Sequence, residues 1–170
     1  MNNTVRIAFS VLLVAGVAAC AKQKVKPTPP VDTTPAVTET QPMDNGGRYT
    51  RDSLDTDSCL RQRVVYFDLD RTEIKPEFQQ QIACHAEYLR QFPDARVTLE
   101  GNTDERGSRE YNLGLGERRG NAVQGALGAA GASSAQLNVT SYGEERPVCR
   151  QHDESCWSKN RRVEIVYTAK

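Results

Sequence analysis

The chain has 170 residues with 22 basic and 22 acidic side chains and no net charge, which suits one ordinary domain plus appendages and carries no nucleic-acid footprint. No nucleophile with an adjacent base and orienting partner can be read from it, and no paired general acid and base, so a catalytic class finds no support and no cofactor is implied.

At the N-terminus Arg6 precedes an apolar run over residues 7–19 that is too short to span a bilayer with margin and reads as an export signal, giving a signal peptide over 1–19. Small residues stand before Cys20. From 20 to 50 the composition shifts to Lys, Thr, Gln and Pro, holding prolines 27, 29, 30, 35 and 42. Such a stretch buries too little apolar surface to offset its ordering entropy and is expected to be a disordered tether. Extended at about 3.1 Å per residue, it would reach on the order of 90 Å.

The folded domain is expected over 51–170. Residues 63–68 read as a strand rich in Val, Tyr and Phe, and Pro76 with Glu77 suits the first turn of a helix that Pro93 stops. Phe78, Ile82, Ala86 and Leu89 recur at helical spacing and should face a sheet, which leaves His85 as a helix-surface residue. Residues 96–100 alternate as a second strand. A second helix is expected over 109–130 with the stripe Leu115, Val123, Leu127 and Ala130; Arg119 falls on that stripe, where an arginine must be paired or reach a rim. Asp104 is the expected partner, directly or through a ligand. Gly114, Gly116, Gly120, Gly125 and Gly128 burden this helix by roughly 0.8 to 1 kcal/mol each relative to alanine, so close packing on the sheet must hold it. Strands are expected over 137–142 and 162–168, the last with Val163, Ile165 and Tyr167 on one face. Two helices between strands that pair out of sequence order imply an α/β (α+β) two-layer sandwich with a mixed four-stranded sheet.

The motifs Val65-Tyr-Phe-Asp-Leu-Asp70, Gly101-Asn-Thr-Asp-Glu-Arg-Gly107, Asn112-Leu-Gly-Leu-Gly-Glu-Arg-Arg119 and Asn160-Arg-Arg-Val-Glu-Ile165, over about residues 60–168, resemble the OmpA-like peptidoglycan-binding domain family. The resemblance implies a site for the diaminopimelate of uncrosslinked stem peptide. Asp104 would accept hydrogen bonds from its ammonium and Arg119, fifteen residues on, would grip its carboxylate. Asn112, Leu69, Asp70 and Leu115 match pocket positions. Of Arg161 and Arg162, only one can face the pocket because neighbouring strand residues point oppositely, and Arg161 is the choice. Asp68 and Asp70 have metal-like spacing without a calcium-loop pattern, so helix capping is the simpler role. Asn102 departs from the family's frequent His.

Val17-Ala-Ala-Cys20 is similar to a bacterial lipobox, which implies lipid on Cys20, an outer-membrane anchor and a domain facing the periplasm; a plain signal peptide is the rival. The resemblance further implies peptidoglycan, TolB and other Tol proteins as partners. A wall-binding lipoprotein of a secretion or motility machine, and a cell-wall hydrolase, are the alternatives. With Cys20 lipidated, four cysteines remain, and Cys59 with Cys84 and Cys149 with Cys156 are the favoured pairs. The rival for Cys149, His152 and Cys156 is a metal site, which an oxidising compartment disfavours.

Overall fold

The computed structural model describes residues 49–170, so the signal peptide, Cys20 and nearly all of the tether lie outside the described residues. In chain order the elements are α1 (Ser53–Thr56), β1 (Val64–Tyr66), a 3-10 turn (Pro76–Phe78) leading into α2 (Gln79–Gln91), β2 (Arg96–Asn102), α3 (Arg109–Ala129), β3 (Leu137–Gly143), α4 (Glu154–Asn160) and β4 (Arg162–Ala169). The four strands form one mixed sheet in the order β1-β4-β2-β3. β4 lies antiparallel to both β1 and β2, and β2 lies parallel to β3. A parallel pair requires a crossover, and α3 supplies it.

The core lies between the sheet and helices α2 and α3. Val97 and Leu99 of β2 and Val163 and Ile165 of β4 alternate onto the covered face, with Tyr167 packed beside them. Ile82, Ala86 and Leu89 of α2, and Val123 and Leu127 of α3, meet them there. Ala130 does not belong to the stripe, because α3 ends at Ala129 and Ala130 is exposed.

The glycines of α3 have two different fates. A methyl on Gly116 would sit 2.9 Å from the carbonyl oxygen of Gly101, and one on Gly120 would sit 2.5 Å from Val139 Cγ1. These two let the helix lie directly on β2 and β3. Gly125 has nothing within 4 Å of its Cβ position, so packing gives no reason for it.

His85 is not a surface residue. It is fully buried, with Nδ1 2.9 Å from the Tyr167 hydroxyl and Nε2 2.9 Å from the Gln62 carbonyl, so it ties α2 to β4 and to the segment before β1. The helical stripe was read as apolar, and a histidine beside it gave no sign that polar partners waited from distant segments.

Both favoured cysteine pairs are bonded. Cys59–Cys84 joins the segment after α1 to α2 with Cα atoms 6.3 Å apart, and Cys149–Cys156 closes the segment before β4 with Cα atoms 5.0 Å apart. The second bridge therefore consumes the thiols that the metal reading needed. Cys156 lies in the first turn of α4, a helix not expected from the sequence. Asp153 caps that helix by accepting from the N–H groups of Ser155 at 2.8 Å and Cys156 at 3.3 Å.

Candidate functional site

The C-terminal end of β2 runs into the turn 103–107, and Ser108 then starts α3 by accepting from the Tyr111 N–H at 3.2 Å. Ligands in α/β units gather at the carboxyl ends of strands, where such a loop meets a helix N-terminus. Here a pocket of about 340 Å³ opens between this turn, the first turns of α3, the segment after β1 and the residue before β4. Leu69, Asp70, Asp104, Asn112, Leu115, Arg119 and Arg161 all line it. The structure therefore brings all seven sequence-selected positions together. Thr103, Arg106, Gly107 and Tyr111 line it as well and were not selected. Their nearness in sequence to Asp104 and Asn112 was the available signal.

Arg119 forms the floor and exposes none of its surface. Its Nε donates to the Arg71 carbonyl at 2.9 Å, Nη1 to the Asn102 carbonyl at 3.1 Å and Nη2 to the Asp68 carbonyl at 3.0 Å, while its guanidinium lies over the Phe67 ring. It does not pair with Asp104. Among the described residues no carboxylate hydrogen-bonds to it or sits within ion-pair distance, and two of its five N–H groups remain uncommitted. Burial, reinforced by the nearby Arg161 cation, pulls its pKa down from the usual guanidinium range to about 10. The group remains a cation at neutral pH, buried without a counter-charge in contact.

Asp104 is 4% exposed and is paired elsewhere. Its carboxylate accepts from the Arg106 backbone N–H at 3.1 Å, from Arg106 Nε at 3.1 Å and Nη2 at 2.7 Å, and from Arg161 Nη1 at 3.2 Å. Burial pushes its pKa up, but the Arg106 side chain and N–H together with Arg161 outweigh burial, so the carboxyl lies below its ordinary range. Arg161 is itself fixed, since Nε donates to the Phe67 carbonyl at 3.0 Å and Nη2 to Glu154 of α4. Arg162 turns away to Glu164 and the Arg146 carbonyl.

Neither Asp68 nor Asp70 caps a helix. Asp68 offers its carbonyl to Arg119 and its carboxylate to Lys75 at 3.2 Å, whereas Asp70, at a φ of 56°, accepts from the Tyr111 hydroxyl at the pocket mouth. Asn112 is buried and donates to Glu144. Leu69 is 54% exposed and gives the mouth an apolar edge. A pocket with a buried acid, a buried cation that lacks a contact carboxylate, and an apolar rim is suited to a small zwitterionic group on an aliphatic stem.

A family model described as OmpA family matches residues 66–161, the segment that carries every one of these pocket residues. The chain belongs to the OmpA family. Among the relatives of this OmpA-family chain is the peptidoglycan-associated lipoprotein of Pseudomonas putida, 51% identical over 114 residues that cover 66% of this chain and 68% of that protein. The peptidoglycan-associated lipoprotein of Haemophilus influenzae is 48% identical over 107 residues, covering 63% and 70%. A crystal structure of the peptidoglycan-associated lipoprotein from Burkholderia pseudomallei superposes with a TM-score of 0.66 at 43% identity, covering 68% of this chain and 98% of that one. The C-terminal domain of Helicobacter pylori MotB, at 23% identity, covers 63% of this chain and 84% of its own with a TM-score of 0.58, and shares the fold alone. No helix among the described residues is long and apolar enough to cross a membrane.

Proposed function

We propose that this domain binds peptidoglycan non-covalently by taking the diaminopimelate end of an uncrosslinked stem peptide into the Asp104–Arg119 pocket. One observation carries the reading: Arg119 is a fully buried cation held by three backbone carbonyls and touched by no carboxylate among the described residues. Burying a charge without a counter-ion is costly, and a fold that retains one has a use for it. A ligand carboxylate supplies the missing charge through the two uncommitted N–H groups, and Asp104 receives the ligand's ammonium. Leu69 and Leu115 pack along the aliphatic stem. Asp70 and Asn112 frame the mouth, and Arg161 holds Asp104 in place.

The site is that of a binder and not of a hydrolase. Asp104 is kept ionised by two guanidiniums, the wrong state for a general acid. In the full reading Cys20 carries the lipid, the outer membrane holds that end, and the domain grips the wall from the periplasm as part of the Tol–Pal system, with TolB as a protein partner, serving envelope integrity and cell division. The relatives' names favour this over a secretion or motility machine, because the MotB likeness extends only to the fold.

The test is calorimetric titration of the purified chain with a diaminopimelate-containing tripeptide, beside Asp104→Asn and Arg119→Lys. Lysine keeps the charge but cannot reproduce three diverging donations and a fork. Each change should cost about 2 to 5 kcal/mol, enough to remove a modest affinity. Folded variants that bind as tightly as the unaltered chain would move the site elsewhere. A purified TolB pull-down tests the protein partner separately.

A further inference from the structure

Arg106 has no role in the reading above, yet it touches the acid on which that reading depends. Its Nε and Nη2 close on the Asp104 carboxylate at 3.1 and 2.7 Å. The same Nη2 lies 3.5 Å from Glu154, and the guanidinium stands over the Trp157 ring, 4.2 Å from its centroid. One side chain therefore has two adjacent holds, one at the bottom of the pocket and one on α4 at its rim. Trp157 is itself pinned by donating its Nε1–H to Glu105 at 2.8 Å, in the same turn as Arg106. The two arginines on Asp104 are held differently. Arg161 is 6% exposed as a side chain and tied to the backbone of Phe67, whereas the Arg106 side chain is 33% exposed and makes no side-chain bond to any backbone carbonyl.

We infer that Arg106 is a specificity-determining residue of the pocket: in the empty site its guanidinium occupies the place of the ligand's ammonium on Asp104, and it yields that place by releasing Asp104 while keeping its hold on Glu154 and Trp157. The inference rests on the proposed reading that Asp104 receives an ammonium. The physical reason is the cost of stripping one of two cations from a buried acid, since without the Arg106 side chain Asp104 keeps only Arg161 Nη1 and the Arg106 backbone N–H. A ligand that ends in a carboxylate alone could meet Arg119 but brings nothing to replace Arg106 on Asp104. A ligand with both groups brings its own cation. Arg106 can then let go without stranding Asp104, and it keeps the second carboxylate and the aromatic face that it already touches. Competition between the protein's own cation and the ligand's thus converts a general liking for carboxylates into a demand for a zwitterion, discrimination by an element that opposes the wrong ligand.

Two probes and one substitution test it: a tripeptide ending in free diaminopimelate, the same tripeptide acetylated on its distal amine, and Arg106→Gln. Binding is read by calorimetry and by the emission of Trp157, the chain's single tryptophan. Arg106→Gln should bind the free-amine tripeptide about fivefold more tightly, the worth of a partly exposed ion pair that no longer competes, and should gain nothing for the acetylated one. In the unaltered chain the free-amine tripeptide should change Trp157 emission as the guanidinium over its ring lets go of Asp104 and shifts, and Arg106→Gln should abolish that change. A folded Arg106→Gln that binds both tripeptides more weakly would make Arg106 a direct grip on the ligand, and unchanged affinity for both would make it a bystander; either result overturns the inference while leaving the pocket reading in place. Failure of the unaltered chain to bind either tripeptide would sink the pocket reading itself. If Arg106→Gln does not fold, Trp157 emission of the unaltered chain decides, because equal emission changes at saturation with the two tripeptides would refute displacement.

Discussion

His85 makes the stability of this domain depend on pH in a direction and range that its surroundings set. The tautomer with its proton on Nε2 satisfies both neighbours, since Nε2–H donates to the Gln62 carbonyl and Nδ1 accepts from the Tyr167 hydroxyl. Protonation places a hydrogen on Nδ1, which forces the Tyr167 hydroxyl to reverse, and puts a charge into the core near Arg63. Burial lowers the His85 pKa from 6.5 to about 4, the Gln62 carbonyl and Asp57 pull it upward, and Arg63 pushes it further down. The folded chain therefore binds this proton less readily than the unfolded chain does. The stability that follows is fully present above about pH 6.5, is lost progressively as pH falls below that value, and stops falling beneath about pH 4. The gap is worth about 3 kcal/mol, a large part of the 5 to 15 kcal/mol typical of a domain. Urea unfolding of the unaltered chain and of His85→Gln at pH 7.5, 6, 5 and 4.5 isolates it: the amide can donate to Gln62 and accept from Tyr167 without titrating. The unaltered chain should lose about 2.5 kcal/mol more than the variant across that series, the remainder being lost below pH 4.5. His152, the only other histidine, sits exposed against Glu105, which raises its pKa, so its smaller effect runs the opposite way and is common to both proteins. Parallel stability curves, or an imidazole resonance of His85 that titrates near 6.5, would refute the reasoning.

Two further outcomes concern the scaffold. The same substitution in α3 should have opposite signs at two places: Gly116→Ala should lower stability by about 1 to 3 kcal/mol because the methyl meets the Gly101 backbone, and Gly125→Ala should raise it by about 0.8 kcal/mol because nothing stands in its way. Thermal melts of the two variants decide it, and a loss at both positions would show that helix packing was misjudged. Replacing Cys59 and Cys84 together by serine opens a bridge across a sequence separation of 25 and should cost about 3 kcal/mol in urea unfolding, with peptide binding retained when the protein is folded. Loss of binding by the folded double variant would tie this remote bridge to the pocket.

The elements with strong local signals were legible. Alternating β-branched residues marked β2 and β4, Pro76 and Pro93 bracketed α2, and the glycines of α3 were read correctly as a sign of close approach to the sheet at Gly116 and Gly120. What the sequence withheld was partnership across long separations. Arg119 was seen as a cation in need of company, but its company is three carbonyls from Asp68, Arg71 and Asn102, and a carbonyl has no residue signature. Asp104 was the expected partner of the arginine fifteen residues away, whereas the turn places Arg106 on it first, a contact between near neighbours that helical periodicity does not reveal. His85 was misjudged for the reason that hid the carbonyls: its partners come from the chain before β1 and from β4. The short helix α4 left only one trace, an Asp153 ahead of Glu154 and Ser155, too brief for periodicity to register.

The position of β4 bears on when this chain can fold. The last strand in sequence lies inside the sheet, between β1 and β2, so β1 has no neighbour in the sheet until residues 162–169 have arrived. A chain that emerges from one end can already pair β2 with β3, but it holds β1 apart while the strand that joins it to them is still to come. The complete sheet then waits on residues 162–169, and the pocket waits on Arg161 just ahead of them, which holds Asp104. Until residues 162–169 are in place the sheet has a gap between β1 and β2.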